Sequence, residues 1–184
     1  MTEEAEIAIR WGVVIGASLV AAVIDVKTRR IPNRLCGPLF AAGLVWAGWQ
    51  NGTEGLLGAF GSAALMSFVF VILFIFAGGG AGDAKLAAGL GAWLSIKEAG
   101  IALVCTCIAG GILGIIVAIY KRHFKIVLAN LVRMVYEWMI AILGHAGIKQ
   151  AIQTTREIEG EKLTVPYGVA IFAGVCVAGV IKLL

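Results

Sequence analysis

The residues of this chain that could do chemistry are two aspartates, each standing where an apolar stretch gives way to a loop. Asp25 is followed by a basic segment that ends in Ile31-Pro32-Asn33, and Asp83 follows the glycine-rich segment 78–82. A carboxylate at a membrane boundary is costly unless it has a task. Two carboxylates close together cannot both ionise easily, so one holds a proton while the other accepts one. Such a pair can activate a water and protonate a leaving amine, which fits peptide hydrolysis.

The composition is that of a polytopic membrane protein. Hydrophobic residues make up 60% of the 184 residues and charged residues only 14%, which is more apolar surface than a soluble domain of this size can bury. A helix needs about 20 residues to cross a bilayer. We therefore expect a single all-α membrane domain, 1–184, with about six transmembrane helices, of which the second and fourth are short. The helices are predicted at 7–24, 35–49, 56–77, 86–96, 101–120 and 165–184.

The 15 basic residues are distributed unevenly among the predicted loops. All but Arg10, Lys97 and Lys182 lie after the first helix, at the start of the fourth, or between the fifth and sixth. Because Lys and Arg accumulate in cytoplasmic loops, we expect that side to be cytoplasmic and the N-terminus to lie outside. Two crossings separate Asp25 from Asp83, so both should reach the cytoplasmic face. The acidic start, with no small-residue cleavage site after the first apolar run, indicates that the first helix is retained.

Both aspartates are followed or preceded by residues that interrupt helices. Pro32 lacks a backbone donor and disfavours helical geometry at Ile31, so the first helix should end between Asp25 and Ile31. The glycines at 78, 79, 80 and 82 permit a positive φ at the end of the third helix and a close approach to another chain, for which a bound peptide is one candidate.

The stretch between the fifth and sixth predicted helices, 126–164, is interpreted as a cytoplasmic or interfacial connector. Residues 126–148 combine an apolar stripe with a polar face, so we favour a helix lying at the membrane interface over a seventh span. Residues 149–164 interleave acidic and basic side chains and are expected to be solvated. Thr164 and Pro166 fit the start of the last helix, which places Tyr167 at the interface beside the aspartates.

Each aspartate also has a purely structural interpretation. Asp25 could form a salt bridge with Arg29, four residues on. Asp83 could be the N-cap of a helix that opens at Ala84. Lys85 is either a basic anchor whose stem reaches toward water, or a group that tunes the carboxylate pair or contacts the substrate. The occurrence of both aspartates in one layer favours the functional interpretation.

Other kinds of site have less support. His123 and His145 lack the HExxH spacing of a zinc protease, and the chain has neither a G-x-S-x-G motif nor paired CxxC motifs. The four cysteines lie in or beside apolar runs, which predicts core packing. Gly80-Ala81-Gly82 lacks the third glycine of a dinucleotide-binding loop, and Leu86 stands where a phosphate loop has Ser or Thr. We expect no metal, no cofactor and no nucleic-acid partner.

The two aspartate segments together resemble the type IV prepilin peptidase family of GxGD membrane aspartyl proteases. Asp25 with Lys27, Arg29 and Ile31-Pro32-Asn33 is similar to the family's first aspartate motif. The run Gly80-Ala81-Gly82-Asp83-x-Lys85-Leu86 is similar to its GxGD motif, and Val165-Pro166-Tyr167-Gly168 resembles the Pro-Tyr-Gly segment near the family's C-terminus.

The resemblance implies an enzyme of the bacterial inner membrane. Such an enzyme cleaves the leader peptide of prepilin or pilin-like precursors, after a glycine, at the cytoplasmic face. Asp25 and Asp83 would be the catalytic pair. The substrate-binding or supporting positions would be Gly80, Gly82, Lys85, Pro32, Asn33, Pro166, Tyr167 and Gly168.

Larger family members also methylate the new N-terminus and carry two CxxC pairs before the first motif, whereas 24 residues precede Asp25 here. We therefore expect protease activity without N-methyltransferase activity, as in the short prepilin peptidases of tight-adherence (Flp) pilus systems. Archaeal-type preflagellin peptidases are also short and form one alternative. A small cation- or proton-coupled transporter, and a non-catalytic scaffold for pilus assembly, are the alternatives from other functional classes.

Overall fold

The computed structural model describes residues 2–77, 80–120 and 167–183. Across these residues the regular backbone is helical, which confirms the all-α prediction. The first, second and fourth helices are long and apolar enough to cross a membrane, and the last is a shorter apolar helix. The helices are α1 (Glu3–Thr28), α2 (Asn33–Ala77), α3 (Ala81–Gly91), α4 (Ile96–Tyr120) and α5 (Tyr167–Leu183).

Helix α2 is a hairpin of two helical arms, 33–50 and 53–77. The backbone leaves helical geometry at Asn51, with φ −128° and ψ 16°, and at Gly52, with φ 59° and ψ −138°. The rings of Phe40 and Phe60 meet edge to face with their centroids 5.8 Å apart, whereas a straight helix would separate these residues by about 30 Å. The chain therefore reverses at the glycine, and the two arms match the second and third predicted helices.

The bounds of α3 differ from the sequence prediction. Hydropathy placed this helix at 86–96, but α3 has 11 residues and ends at Gly91. Two turn hydrogen bonds follow, from the Trp93 N–H to the Leu90 carbonyl and from the Leu94 N–H to the Gly91 carbonyl, each 3.1 Å. An apolar run indicates which residues are buried but not where the helical backbone ends. The predicted helix therefore extended across this turn. At about 16 Å, α3 is too short to cross a hydrocarbon core of about 30 Å.

Small residues allow the helices to approach closely. A Cβ on Gly91 of α3 would lie 2.7 Å from the Ser62 carbonyl oxygen and 2.9 Å from the Cα of Ala63, both on α2. A Cβ on Gly174 of α5 would likewise meet the backbone of Thr106 on α4. These contacts bring α3 onto α2 and α5 onto α4, so that the short helices are held by the long ones.

The two ends of the helix bundle have different chemistry. At one end, which we call the Glu98 end, the buried carboxylate of Glu98 accepts hydrogen bonds from the Ser95 backbone N–H (2.9 Å) and hydroxyl (2.8 Å). The same carboxylate pairs with Arg10 of α1 at 3.4 Å and with Lys182 of α5 at 3.7 Å. This cluster joins α1, α4 and α5 at the end opposite Asp25.

The predicted interfacial helix 126–148, the solvated connector 149–164 and the helix start at Thr164 and Pro166 lie outside the described residues.

Candidate active site

Asp25 lies in the last turn of α1. The helix ends at Thr28, within the interval that Pro32 predicted. The Thr28 hydroxyl donates to the Ile24 carbonyl at 2.9 Å. Arg29 then adopts the left-handed conformation, with φ 51°, and its N–H donates to the Asp25 carbonyl at 2.8 Å. These contacts stop the helix directly after the aspartate, so that the chain turns toward α2.

The side chain of Asp25 is buried, with 7% of the residue exposed. Its Oδ2 accepts a hydrogen bond from the backbone N–H of Gly168, in the first turn of α5, at 2.9 Å. The salt bridge to Arg29 considered from sequence is wrong for this structure. Over residues 2–77, 80–120 and 167–183, the ion pairs are those that Glu98 forms with Arg10 and Lys182.

Asp83 is the third residue of α3 rather than its N-cap. The N-cap position is occupied by Gly80, so the prediction of a helix opening at Ala84 is wrong. The Asp83 N–H donates to the Gly80 carbonyl at 3.1 Å, and the dipole at the start of α3 favours a negative charge there. Gly80 has φ −76°, so the positive φ that this glycine would permit is not used.

Asp83 lies outside the long apolar helices. The pKa of its carboxyl is raised to about 6. The largest cause is burial, which disfavours the charged form. The negative charge of Asp25 raises the pKa further, while a backbone hydrogen bond at Gly80 acts in the opposite direction. The two carboxyl groups are therefore close enough for one to affect the protonation of the other.

Two contacts join the loop after α1 to the start of α3. A Cβ on Gly82 would lie 3.1 Å from the Cβ of Ile31, so glycine permits a close approach within the chain. The approach of another chain, such as a bound peptide, stays a prediction. The Lys85 ammonium donates to the Asn33 side-chain oxygen at 2.9 Å, at an exposed position. Together these contacts connect the segment that follows Asp25 to the segment that contains Asp83.

The remaining predicted site residues lie around these contacts. Pro32 immediately precedes α2, and its carbonyl accepts the Leu35 N–H at 3.0 Å. Tyr167 is half-buried at the start of α5, and its ring edge lies 3.4 Å from where a Cβ on Gly110 of α4 would be. Pro166 lies outside the described residues.

A cavity of about 280 Å³ lies at the Glu98 end and includes neither aspartate. Its lining includes Glu6 and Arg10 of α1, and Glu6 precedes Asp25 by roughly 28 Å of helix. Across residues 2–77, 80–120 and 167–183, no three His, Cys, Asp or Glu side chains gather as metal ligands do. The candidate active site is the aspartate pair, because the charge of Asp25 raises the pKa of Asp83.

The comparison with protein families agrees with this choice. Residues 12–115 match the model of the type IV leader peptidase family. The chain belongs to the type IV leader peptidase family. The matched region covers more than half of the chain and contains Asp25, Asp83 and the segments on either side of each. The chain is thus a member of a family of membrane peptidases.

Curated relatives of the chain are named as leader peptidases. The chain is 31% identical over 121 residues to a prepilin leader peptidase/N-methyltransferase of Neisseria gonorrhoeae, covering 61% of the chain and 42% of the relative. It is 32% identical over 106 residues to a protein of the same name from Burkholderia pseudomallei, covering 54% of the chain and 34% of the relative. The chain therefore spans less than half the length of these relatives. No solved structure matches it.

For this family member, sequence reasoning missed one contributor to the candidate site. Ile31 was placed in the first aspartate motif but given no role in the site, yet it packs against Gly82 and so brings the segment after α1 onto the start of α3. Its position inside the first aspartate segment was the only available signal. Which residue it would contact could not be read from the chain.

Proposed function

We propose that this protein is a membrane-embedded aspartyl endopeptidase that removes the leader peptide from prepilin or pilin-like precursors, after a glycine. Family membership supports the reaction class. The observation that carries the proposal for the site is the proximity of two carboxyl groups from different helices, Asp25 of α1 and Asp83 of α3. The charge of the first raises the pKa of the second, as expected of a carboxyl pair that shares a proton.

The chemistry of the proposed reaction needs one carboxylate and one carboxylic acid. The carboxylate takes a proton from a water molecule, and the water oxygen forms a bond to the carbonyl carbon of the scissile peptide. The carboxylic acid gives its proton to the leaving amine as the C–N bond breaks. The raised pKa of Asp83, about 6, brings its titration closer to neutral pH, where a carboxyl can both take up and release a proton. The titration belongs to the pair, so neither aspartate is assigned as the base.

The other residues of the site have supporting roles in this proposal. Gly80 leaves room beside the Asp83 carboxyl, Gly82 leaves room for Ile31, and Gly168 contacts Asp25. The contact of Lys85 with Asn33 joins the two aspartate segments. We propose that the path of the substrate is lined by these glycines together with Pro32, Pro166 and Tyr167, the last two of which precede Gly168 in the sequence.

The proposed location is the inner membrane, with the aspartates at the cytoplasmic face. Apolar helices support the membrane assignment, and the concentration of Lys and Arg after α1 supports the orientation. The proposed partners are precursor proteins and lipid. A precursor helix could pack beside the enzyme through small residues.

We also propose that the chain lacks N-methyltransferase activity. The support is that its four cysteines, at 36, 105, 107 and 176, form no CxxC pair. Incubation of the purified protein with a precursor and labelled S-adenosylmethionine tests this. Transfer of label to the cleaved N-terminus would contradict the proposal without affecting the peptidase assignment.

The decisive experiment is cleavage of a prepilin-type precursor by purified wild type, Asp25→Asn and Asp83→Asn, followed by mass spectrometry. We expect wild type to cleave after a glycine, and each variant to lose at least about 10³-fold in kcat because a carboxyl that moves the proton is gone. Thermal unfolding of each variant shows whether it is folded. Cleavage that survives either substitution would remove that aspartate from the mechanism.

A further inference from the structure

The contact between Asp25 and Gly168 joins residues that are 143 positions apart in the sequence. The Gly168 N–H lies in the first turn of α5, where backbone donors have no partner within their own helix. Here that donor is used by Oδ2 of Asp25 at 2.9 Å, in a buried position. A buried hydrogen bond from a backbone donor to a carboxylate fixes the orientation of the side chain more strongly than one in water.

Glycine is required at position 168 by the closeness of this contact. A Cβ there would lie 2.9 Å from the Asp25 Cβ and 3.0 Å from Oδ2. It would also lie 3.3 Å from the Cα of Ala22, which belongs to the backbone of α1. Any side chain at 168 must therefore push α5 away from α1 or turn the Asp25 carboxylate away from the amide.

The contact also distinguishes the two oxygens of Asp25. Oδ2 accepts the Gly168 N–H, whereas Oδ1 accepts no side-chain hydrogen bond from residues 2–77, 80–120 or 167–183. An oxygen that is held by a backbone amide cannot easily turn toward a reacting group. Within the described part of the chain, the remaining oxygen is left for a water molecule.

We propose that Gly168 is a positioning residue, whose backbone N–H holds Oδ2 of Asp25 so that Oδ1 faces the water that attacks the substrate. This inference rests on the proposed peptidase function and adds the role of α5 to it. Gly168 acts through Asp25 and does not itself move a proton. This positioning role would make the first turn of α5 part of the active site, although it lies far from both aspartates in the sequence.

The first test compares Gly168→Ala with a matched change on the same helix, Gly174→Ala. The second change places a Cβ 2.5 Å from the backbone nitrogen and hydroxyl of Thr106, and does not touch Asp25. We expect Gly168→Ala to lower kcat on the order of 10²-fold, as for a catalytic group displaced by about 1 Å, while KM changes less than about twofold. Gly174→Ala should lower thermal stability with a much smaller loss of kcat.

The second test does not depend on whether the Gly168 variant folds. Selective ¹⁵N-glycine labelling of the 25 glycines allows the Gly168 amide to be followed by NMR in wild type, Asp25→Ala and Asp83→Asn. We expect Asp25→Ala to shift the Gly168 amide more than any glycine outside α1, because the amide loses its acceptor. Asp83→Asn should move this signal less.

Two outcomes would overturn the inference. One is an equal loss of kcat in the Gly168 and Gly174 variants, which would make the glycine merely structural. The other is a Gly168 amide that does not respond to Asp25→Ala. Failure of wild type to cleave any precursor would instead refute the proposed function on which the positioning role depends, and the NMR comparison would still decide whether the hydrogen bond exists.

Discussion

The two aspartates differ in their surroundings although both lie at the ends of helices. Asp25 is buried and accepts the Gly168 amide, whereas Asp83 is half-buried in the first turn of α3. Lys85, two residues after Asp83, donates to the Asn33 side chain. Its ammonium therefore joins the starts of α2 and α3, which is more specific than the anchoring role considered from sequence.

The raised pKa of Asp83 predicts how stability depends on pH. Its carboxyl has a pKa of about 6 when folded, against an ordinary value of 3.8, so the folded state binds this proton more tightly than the unfolded state. The contribution to stability is fully present below pH 3.8 and is lost as the pH rises through about 6. At pH 7, Asp83→Asn should be at least as stable as wild type. As the pH falls toward 4, the free energy of unfolding of wild type should increase relative to that of the variant.

Thermal unfolding of both proteins in detergent between pH 4 and pH 7 measures this difference. For a chain of this size, each 1 kcal/mol corresponds to a change of about 2–4 °C in Tm. Glu54→Gln, which changes an exposed acid, is the control and should show no comparable trend. If the stability of wild type relative to Asp83→Asn increased with rising pH, the upward shift of the Asp83 pKa would be contradicted.

At the scale of the elements, the site depends on how closely short helices pack against long ones. Helix α3 carries Asp83 and is too short to span a bilayer, so its position is determined by contact with α2. Leu86 and Leu90 of α3 are fully buried, and Gly91 lies directly against the backbone of Ser62 and Ala63. The position of one catalytic candidate is therefore controlled by the packing of a glycine at the other end of its helix.

Replacing Gly91 by Ala should test this control. Its Cβ would meet backbone atoms of α2 at 2.7–3.1 Å, and overpacking of this kind costs about 1–3 kcal/mol. We expect reduced thermal stability together with reduced cleavage, because α3 must move. Gly114→Ala on α4, where nothing lies within 4 Å, is the matched control and should be neutral or stabilising by up to about 1 kcal/mol. Equal stability of the two variants would contradict the close packing.

At the scale of the whole molecule, the two ends of the bundle carry different sets of polar contacts. The first turns of α3 and α5 and the last turn of α1 meet around the aspartates. At the Glu98 end, one buried carboxylate holds the start of α4 to Arg10 and Lys182. Helices α1 and α5 thus meet at both ends, through Asp25 and Gly168 at one end and through the shared partner Glu98 at the other.

The orientation of the bundle in the membrane is a prediction that labelling can test. A variant without native cysteines is given one cysteine, at exposed Glu3, Arg34 or Lys85, and intact cells are treated with a membrane-impermeant maleimide. The positive-inside distribution predicts labelling of Glu3→Cys only, with Arg34→Cys and Lys85→Cys protected until the cells are opened. Labelling of the last two in intact cells would place the aspartates on the outer face.

Much of the architecture follows from local sequence. Hydropathy identified the helical segments, because burial of apolar side chains in lipid depends mainly on composition within about 20 residues. Pro32 correctly indicated that α1 ends before it. The bounds of α3 were missed although Ser95 and Glu98 form a capping box that marks the start of α4. In the structure each of these residues bonds the backbone N–H of the other.

What the sequence by itself determined is the set of helices, their apolar character and the presence of two aspartates in segments that resemble a known family. Only the tertiary structure decided three contacts of the site. Gly168 donates a hydrogen bond to Asp25, Gly82 packs against Ile31, and the charge of Asp25 raises the pKa of the Asp83 carboxyl. The reason is physical. Helix formation and hydropathy depend on neighbours along the chain, whereas these contacts depend on how closely separate helices pack, and a single Cβ at a glycine is enough to prevent them.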